Sequence, residues 1–335
     1  MTDRILNWGL LSTARINRAL IKPINASKRT RLLAVASRSQ VSAEAYAREW
    51  NIPHAHGSYE ALLNDPEIDV IYNSLPNHLH KEWTIKALRA GKHVLCEKPI
   101  ALTLADLDAM SQAAQETGKV LAEAFMYRHH AQTLKVKKIV DGGELGKIQL
   151  IKGAFTYTIR SEEDYRNYEN MGGGSIWDVG CYPISYARTI VGAEPVEVFG
   201  WQVTGGALSA SKGQGGSDES FIGQMRFKDG IHMQFDSGFK SPSRSYIEIV
   251  GTEAVLHIPS PFKPGLKNEI HLKREGKTQT IKVAGSELYL GEVEDMCDAI
   301  LQGKTPRITL ADSRKNTAVI LALLESAKSG KLVIV

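Results

Sequence analysis

Cysteine is scarce: Cys96, Cys181 and Cys297 are the only three in a chain of 335 residues, and no two form a Cys-x-x-Cys pair. Isolated thiols argue against a disulfide framework and set the expectation of reduced cysteines in a cytoplasmic protein. Long apolar runs are missing too, and none approaches the roughly 20 residues of a membrane span. The start, Met1-Thr2-Asp3-Arg4, leads straight into a strand pattern with no charged-then-apolar leader, which fits the same cytoplasmic expectation. Charge of one sign never accumulates. The 41 Lys and Arg are scattered among 37 Asp and Glu, for a net charge of +4, so no basic stretch points to nucleic acid or a membrane surface. Internal repeats are absent as well.

What remains is a chain 43% hydrophobic and 23% charged, the composition of a globular protein of two domains. Short apolar runs alternate with helical patterns up to about residue 125. Ile5–Leu11, Leu32–Ala36, Val70–Asn73, His93–Cys96 and Val120–Ala124 read as strands buried on both faces, hence a parallel sheet between helices. Leu79, Trp83 and Ala87 form one helical stripe, and Thr103 reads as an N-cap with Asp106 at N3. The period then changes from 3.6 to 2. Phe221, Gly223, Met225 and Phe227 share one face, as do Ile231, Met233 and Phe235, and Ser245–Val250, Val196–Trp201 and Ile148–Tyr157 follow. Such alternation predicts a mainly antiparallel sheet with two unlike faces. The fold class is therefore α/β: a Rossmann-type domain over 1–127, an α+β domain over 128–311, and a helix and tail over 312–335 packing back on the first domain. Asp312 is expected to cap that helix and Gly330 to stop it. Gly205–Ser217 reads as a flexible loop. A sheet face bearing Phe, Met and Ile needs a cover, which predicts a homodimer or tetramer.

The first strand runs into Ser12-Thr13-Ala14-Arg15-Ile16-Asn17. A dinucleotide turn would carry glycine where Ser12, Ala14 and Asn17 stand. Small residues still let a pyrophosphate approach the helix N-terminus, where backbone N–H groups favour anions. The second strand ends in Ser37-Arg38, without the acidic residue that grips the ribose hydroxyls of NAD. A hydroxyl and a guanidinium suit a 2′-phosphate instead. NADP is the expected cofactor, and NAD the less favoured one.

Two further segments carry chemistry. Cys96-Glu97-Lys98-Pro99 places a lysine at the carboxyl end of a strand, where open α/β sheets bind ligands. Gly172-Gly173-Gly174-Ser175-Ile176-Trp177-Asp178-Val179-Gly180-Cys181-Tyr182 offers a carboxylate and a phenol four residues apart. Lysine, aspartate and tyrosine form a proton-handling set for moving a hydride on or off a carbinol carbon. Tyrosine titrates near 10 in water, and a protonated lysine beside it favours the phenolate. Asp178 is expected to orient Lys98 or bind a substrate hydroxyl, with helix capping as the competing role. Trp177 reads as either core or a sugar-stacking platform. Arg128 reads as a cofactor or substrate contact, or else as a linker residue.

Together these motifs, with Pro76-Asn77-His78-Leu79-His80 and Glu123–Arg128, resemble the Gfo/Idh/MocA oxidoreductases over essentially the whole chain. The resemblance implies NAD or NADP at the junction of two domains, with Lys98 as the general catalytic lysine. It also implies cofactor contacts from Ser12, Thr13, Ala14, Arg15 and Ile16, from Ser37 and Arg38, from Leu75, Pro76 and Asn77, and from His80, Glu97 and Arg128. Many members carry histidine where Tyr182 stands. Tyrosine there is similar to the branch of glucose–fructose oxidoreductase, dimeric dihydrodiol dehydrogenase and NADP-dependent D-xylose dehydrogenase, which implies Tyr182 as proton donor or acceptor. The substrate class implied is a sugar or cyclic polyol. Two alternatives stay open: an enzyme that keeps its NADP and couples two sugars, and a non-catalytic NADP-binding sensor. No metal is expected, because adjacent His129 and His130 diverge on any regular element. His80 is expected to hydrogen-bond cofactor or backbone.

Overall fold

The computed structural model describes residues 4–205 and 216–335. Most of the loop expected over Gly205–Ser217 lies outside the described residues. The chain divides into two compact units, one of residues 1–129 with 287–314, the other of residues 130–286 with 315–335.

The first unit holds a six-stranded parallel sheet of β1 (Leu6–Leu11), β2 (Thr30–Ala36), β3 (His54–His56), β4 (Val70–Asn73), β5 (His93–Glu97) and β6 (Leu121–Ala124). Its order is β3-β2-β1-β4-β5-β6, the doubly wound arrangement that leaves a crevice beyond the carboxyl ends of the strands. The central strands are buried on both faces, as their unbroken apolar runs require. Helices α1 (Asn17–Ala26), α2 (Gln40–Trp50), α3 (Tyr59–Leu63), α4 (His80–Arg89) and α5 (Leu104–Thr117) connect them. The predicted cap holds: the Thr103 hydroxyl accepts the Asp106 N–H at 3.1 Å, and Leu107 and Met110 are fully buried. Strand β3 was not expected; its three half-buried residues carry no apolar run.

In the second unit, α6 (Ala131–Asp141) precedes β7 (Ile148–Thr158), α7 (Cys181–Val191), β8 (Pro195–Thr204), β9 (Asp218–Phe227), β10 (His232–Gly238) and β11 (Lys240–Gly251). Strands β12 (Val255–Ile258), β13 (Lys267–Arg274) and β14 (Lys277–Ala284) follow. Helix α8 (Leu290–Gln302) then belongs to the first unit, and α9 (Leu310–Ser329) leads to the last strand of the second, β15 (Val333–Ile334). The nine-stranded sheet runs β14-β13-β12-β11-β7-β10-β9-β8-β15, antiparallel except for the β10–β7 pair. The predicted alternation appears on β9, where Phe221, Met225 and Phe227 are buried and Ile222, Gln224 and Arg226 are exposed.

Three expectations need correction. The apolar sheet face is covered by the unit's own helices. Pro183 of α7 lies against Gly153, and the Leu323 carbonyl of α9 against Gly200. The face left exposed carries Trp201, Val203 and Ile222 instead. The C-terminal tail joins the second unit's own sheet: Val333 and Ile334 pair with Val198 and Glu197 of β8. What returns to the first unit is the segment 287–314, so the expected boundary at 127/128 misses a discontinuous domain. Finally, Asp312 does not cap α9. The Thr309 hydroxyl accepts the Asp312 N–H at 3.1 Å, while the Asp312 carboxylate pairs with Arg128 at 3.0 Å. Gly330, at φ 67°, does stop the helix.

Candidate active site

The degenerate turn after β1 is built around serine. Ser12 sits at φ 137°, a region that favours glycine, and such a residue persists only where neighbours over-determine it. Its hydroxyl meets the Ser74 hydroxyl at 2.9 Å and accepts the Ala14 N–H at 3.1 Å. Asn17, fully buried, donates its amide to the Ser12 carbonyl at 2.7 Å. Asn17 thus ties the turn from within instead of vacating it as glycine would. Thr13, Ala14 and Ile16 are half-buried and Arg15 is exposed. Helix α1 has no side-chain cap and no acidic residue in its first turn, so no protein carboxylate competes there for an anion.

At the end of β2, Ser37 is half-buried and Arg38 exposed. The Ser37 N–H donates to the His56 carbonyl at 3.0 Å, and Ser39 caps α2. The absence of an acid, read from sequence, is therefore an absence at the strand end itself. Ser12 with its neighbours, at the start of the uncapped α1, fit the phosphates of a dinucleotide.

The loop after β4 brings Leu75, Pro76 and Asn77 to the same edge of the sheet, and Leu75 and Asn77 are buried. Of the two partners expected for it, cofactor or backbone, His80 takes the backbone. Its imidazole is fully buried, with Nε2 2.7 Å from the Leu75 carbonyl and Nδ1 2.8 Å from the Pro99 carbonyl. Burial lowers its pKa to about 4. A ring so engaged offers a ligand nothing; it braces the Leu75 loop against the Lys98–Pro99 turn, whose peptide bond is cis.

Glu97 closes β5 with Lys98 after it, both half-buried. One Glu97 oxygen accepts the Tyr72 hydroxyl and the other the Lys98 N–H at 3.2 Å. Beneath them, Tyr289 and Glu292 come from the returning segment. Burial, and then the charge of Glu97, push the Glu292 carboxyl well above the usual range. Burial, followed by the charges of Glu97 and Glu292, raises Tyr289 as well. Glu97 thus neighbours three groups whose pKa burial raises: Tyr72, Tyr289 and Glu292. Sequence reading missed these three because they lie on the neighbouring strand or some 190 residues from the motif. Arg128, expected at the cofactor or substrate, pairs with Asp312.

In the second unit, the triple glycine is a packing requirement. A Cβ on Gly173 would lie 2.4 Å from the Arg166 carbonyl, and one on Gly174 (φ 120°) 2.2 Å from the Asp218 carboxylate. That carboxylate accepts the Ser175 hydroxyl at 2.6 Å and the Ile176 N–H at 2.9 Å. The chain then makes one π-helical turn, Ile176–Gly180, and continues as α7. Such turns are rare and frequent at functional sites. Asp178 lies on it, half-buried, accepting the Tyr157 hydroxyl at 2.7 Å and standing 3.2 Å from Arg166 Nε. The positive charge that Asp178 offsets inside this unit is therefore that of Arg166. Tyr182 is 5% exposed, edge-on to Phe155 with ring centres 5.3 Å apart and beside Phe262 at 5.5 Å. Trp177, at 7% exposure, belongs to the core.

Comparison with known proteins agrees. Residues 6–125 match the model of an oxidoreductase family with an NAD-binding Rossmann fold, and residues 133–257 match the GFO/IDH/MocA C-terminal domain. The chain is a member of the Gfo/Idh/MocA oxidoreductase family. It is 32% identical to D-xylose 1-dehydrogenase (NADP(+)) 2 of Haloferax volcanii, over 97% of this chain and 98% of that protein. It is 34% identical to the dTDP-3,4-didehydro-2,6-dideoxy-alpha-D-glucose 3-reductase of Streptomyces violaceoruber, over 78% and 79%. Among solved structures, the aldose–aldose oxidoreductase of Caulobacter crescentus complexed with glycerol superposes with a TM-score of 0.90 at 25% identity, covering 99% of this chain and all of that one. A 3-ketoreductase from Actinomadura kijaniata, complexed with NADP and TDP-benzene, gives 0.90 at 26%, over 96% and 98%. This family member is thus an oxidoreductase with a nicotinamide-binding Rossmann domain. Among the described residues, no helix is long and apolar enough to cross a membrane.

Proposed function

We propose that the enzyme transfers a hydride between NADP(H) and a CH–OH or C=O carbon of a sugar or cyclic polyol. The observation that carries this reading is Lys98 at the carboxyl end of β5, held by Glu97 and braced through Pro99 by His80. The π-helical turn that presents Asp178 ahead of Tyr182 supports it. Relatives that act on xylose and on nucleotide-linked keto sugars support the substrate class. The absence of an acid beside Ser37 and Arg38 supports the phosphorylated cofactor.

When bound, the nicotinamide supplies the hydride acceptor or donor. The side chains handle the proton and the charge. In oxidation, the Tyr182 oxygen takes the proton of the substrate hydroxyl as the carbon–hydrogen bond breaks and the carbonyl forms. In reduction it returns that proton. The Lys98 ammonium stabilises negative charge on the reacting oxygen. Asp178, oriented by Tyr157 and Arg166, accepts a hydrogen bond from a neighbouring substrate hydroxyl. The Phe155–Phe262 pair fixes the Tyr182 ring.

Tyr182→Phe removes only the hydroxyl, and proton transfer contributes about 10²–10⁴-fold. That variant and Lys98→Met should fold, bind NADP, and lose turnover by such a factor. The double variant should lose little more, because the two groups act on one oxygen. Near wild-type kcat for Tyr182→Phe in a chemistry-limited assay disproves the assignment. A second reading rests on the likeness to the Caulobacter aldose–aldose oxidoreductase: NADP stays bound while one sugar is oxidised and another reduced. Nicotinamide absorbance that survives purification and gel filtration distinguishes it from free exchange.

A further inference from the structure

Strand β3 carries His54 and His56 two positions apart at the edge of the parallel sheet. Alternation along a strand places both side chains on one side, and both meet Asp65. His56 Nε2 lies 3.1 Å and His54 Nδ1 3.6 Å from the same carboxylate oxygen, Oδ2. One donor atom from each residue falls within 4.8 Å of the other two. A tetrahedral zinc ion with ligands at about 2.0–2.2 Å separates them by roughly 3.3–3.6 Å. The two carboxylate edges, at 3.1 and 3.6 Å, lie at or close to that length, and the third is under 4.8 Å.

The carboxylate is set up in advance. Asp65 Oδ1 accepts the Glu67 N–H at 2.9 Å, which turns Oδ2 toward the imidazoles. Lys92 Nζ is occupied on the far side, by the carbonyls of Asp65 and Ile68. The side chains of His54, His56 and Asp65 are 39%, 21% and 10% exposed, so water reaches the remaining coordination position. The four histidines of the sequence motifs take no part in this cluster.

We propose that His54, His56 and Asp65 bind a zinc-class divalent ion, with two imidazole nitrogens, one carboxylate oxygen and solvent. Imidazole donors select such ions over magnesium or calcium. The ion would tie the edge strand to the segment after α3. The His56 carbonyl holds the Ser37 N–H, so the clip would also stiffen the strand end that carries Ser37 and Arg38. The role is structural, apart from Lys98 and Tyr182.

The test uses untagged full-length protein, stripped with chelator and titrated with zinc sulfate by calorimetry. One zinc per chain is expected, with a rise in Tm on addition. Loss of a partner behind a ligand costs about 10–100-fold in metal affinity, so loss of a ligand should cost at least as much. His54→Ala/His56→Ala and Asp65→Asn should therefore each lose the site and the Tm rise. Asp65→Asn preserves shape and the Glu67 bond, so it decides the matter if the double variant folds poorly. No stoichiometric zinc in the wild type, or equal binding in Asp65→Asn, overturns the proposal.

Discussion

The Tyr157 hydroxyl donates to the Asp178 carboxylate at 2.7 Å, with Arg166 Nε 3.2 Å from the other oxygen. Asp178 is therefore held from its own unit before any substrate arrives. Asp178→Asn keeps the phenol's acceptor but leaves Arg166 with Asp164 as its remaining carboxylate partner. Loss of the second carboxylate should cost about 1–3 kcal/mol by urea unfolding, and combination with Arg166→Gln should be less than additive. Unchanged stability would show that Asp178 serves only the substrate.

Cofactor choice should follow Arg38. Loss of a charge-assisted contact costs about 1.5–3 kcal/mol, roughly ten- to a hundred-fold in affinity. Arg38→Ala should weaken NADP binding by that factor and leave NAD nearly unchanged, as read by kcat/KM with each cofactor. An unaltered preference would remove Arg38 from the site.

Asp218 makes stability depend on pH. Burial, opposed by the Ser175 hydroxyl and the Ile176 N–H, raises its pKa to about 7. The folded protein then binds the extra proton, so this contribution is complete below about pH 4 and is lost as pH rises through about 7. Between those limits it changes by about 1.4 kcal/mol per pH unit. Asp218→Asn should flatten the Tm–pH profile over that window while keeping the fold. A profile parallel to the wild type would refute the assignment.

Trp201, Val203 and Ile222 form an exposed apolar patch on the open sheet face, and we infer that a second copy covers it. A stable interface buries about 800 Å² on each partner. Light scattering should give a dimer or tetramer, and Trp201→Arg should shift it to monomer. A monomeric wild type at micromolar concentration would exclude this interface.

Much of the architecture was legible because burial writes itself into periodicity. Unbroken runs gave five of the six parallel strands, and alternation gave the unlike faces of β9 and β10. Strand β3 escaped because His-Ala-His carries no apolar signal. The hairpin of β13 and β14 escaped because its outer strand is mostly exposed and polar. The motifs located Lys98, Asp178 and Tyr182, but not the groups that hold them. Tyr157 and Arg166 reach Asp178, and Tyr289 and Glu292 reach Glu97, through contacts that no local spacing encodes. Ser12 is the reverse case: a residue that looks like a weakened fingerprint occupies the backbone conformation the glycine would have supplied. The apolar strand residues correctly demanded a cover, but the chain's own α7 and α9 provide it.

Val293, Met296 and Cys297 of α8 are buried in the same core cluster as Leu6, Trp8 and Leu10 of β1. During synthesis, β1 must wait for α8, with residues 130–286 of the second unit emerging in between. Release of the chain before Leu290 would leave this side of the parallel sheet covered by α1 and α2 alone, with the rest exposed and prone to association. The cofactor-binding unit of this enzyme therefore cannot close until most of the other unit has been made.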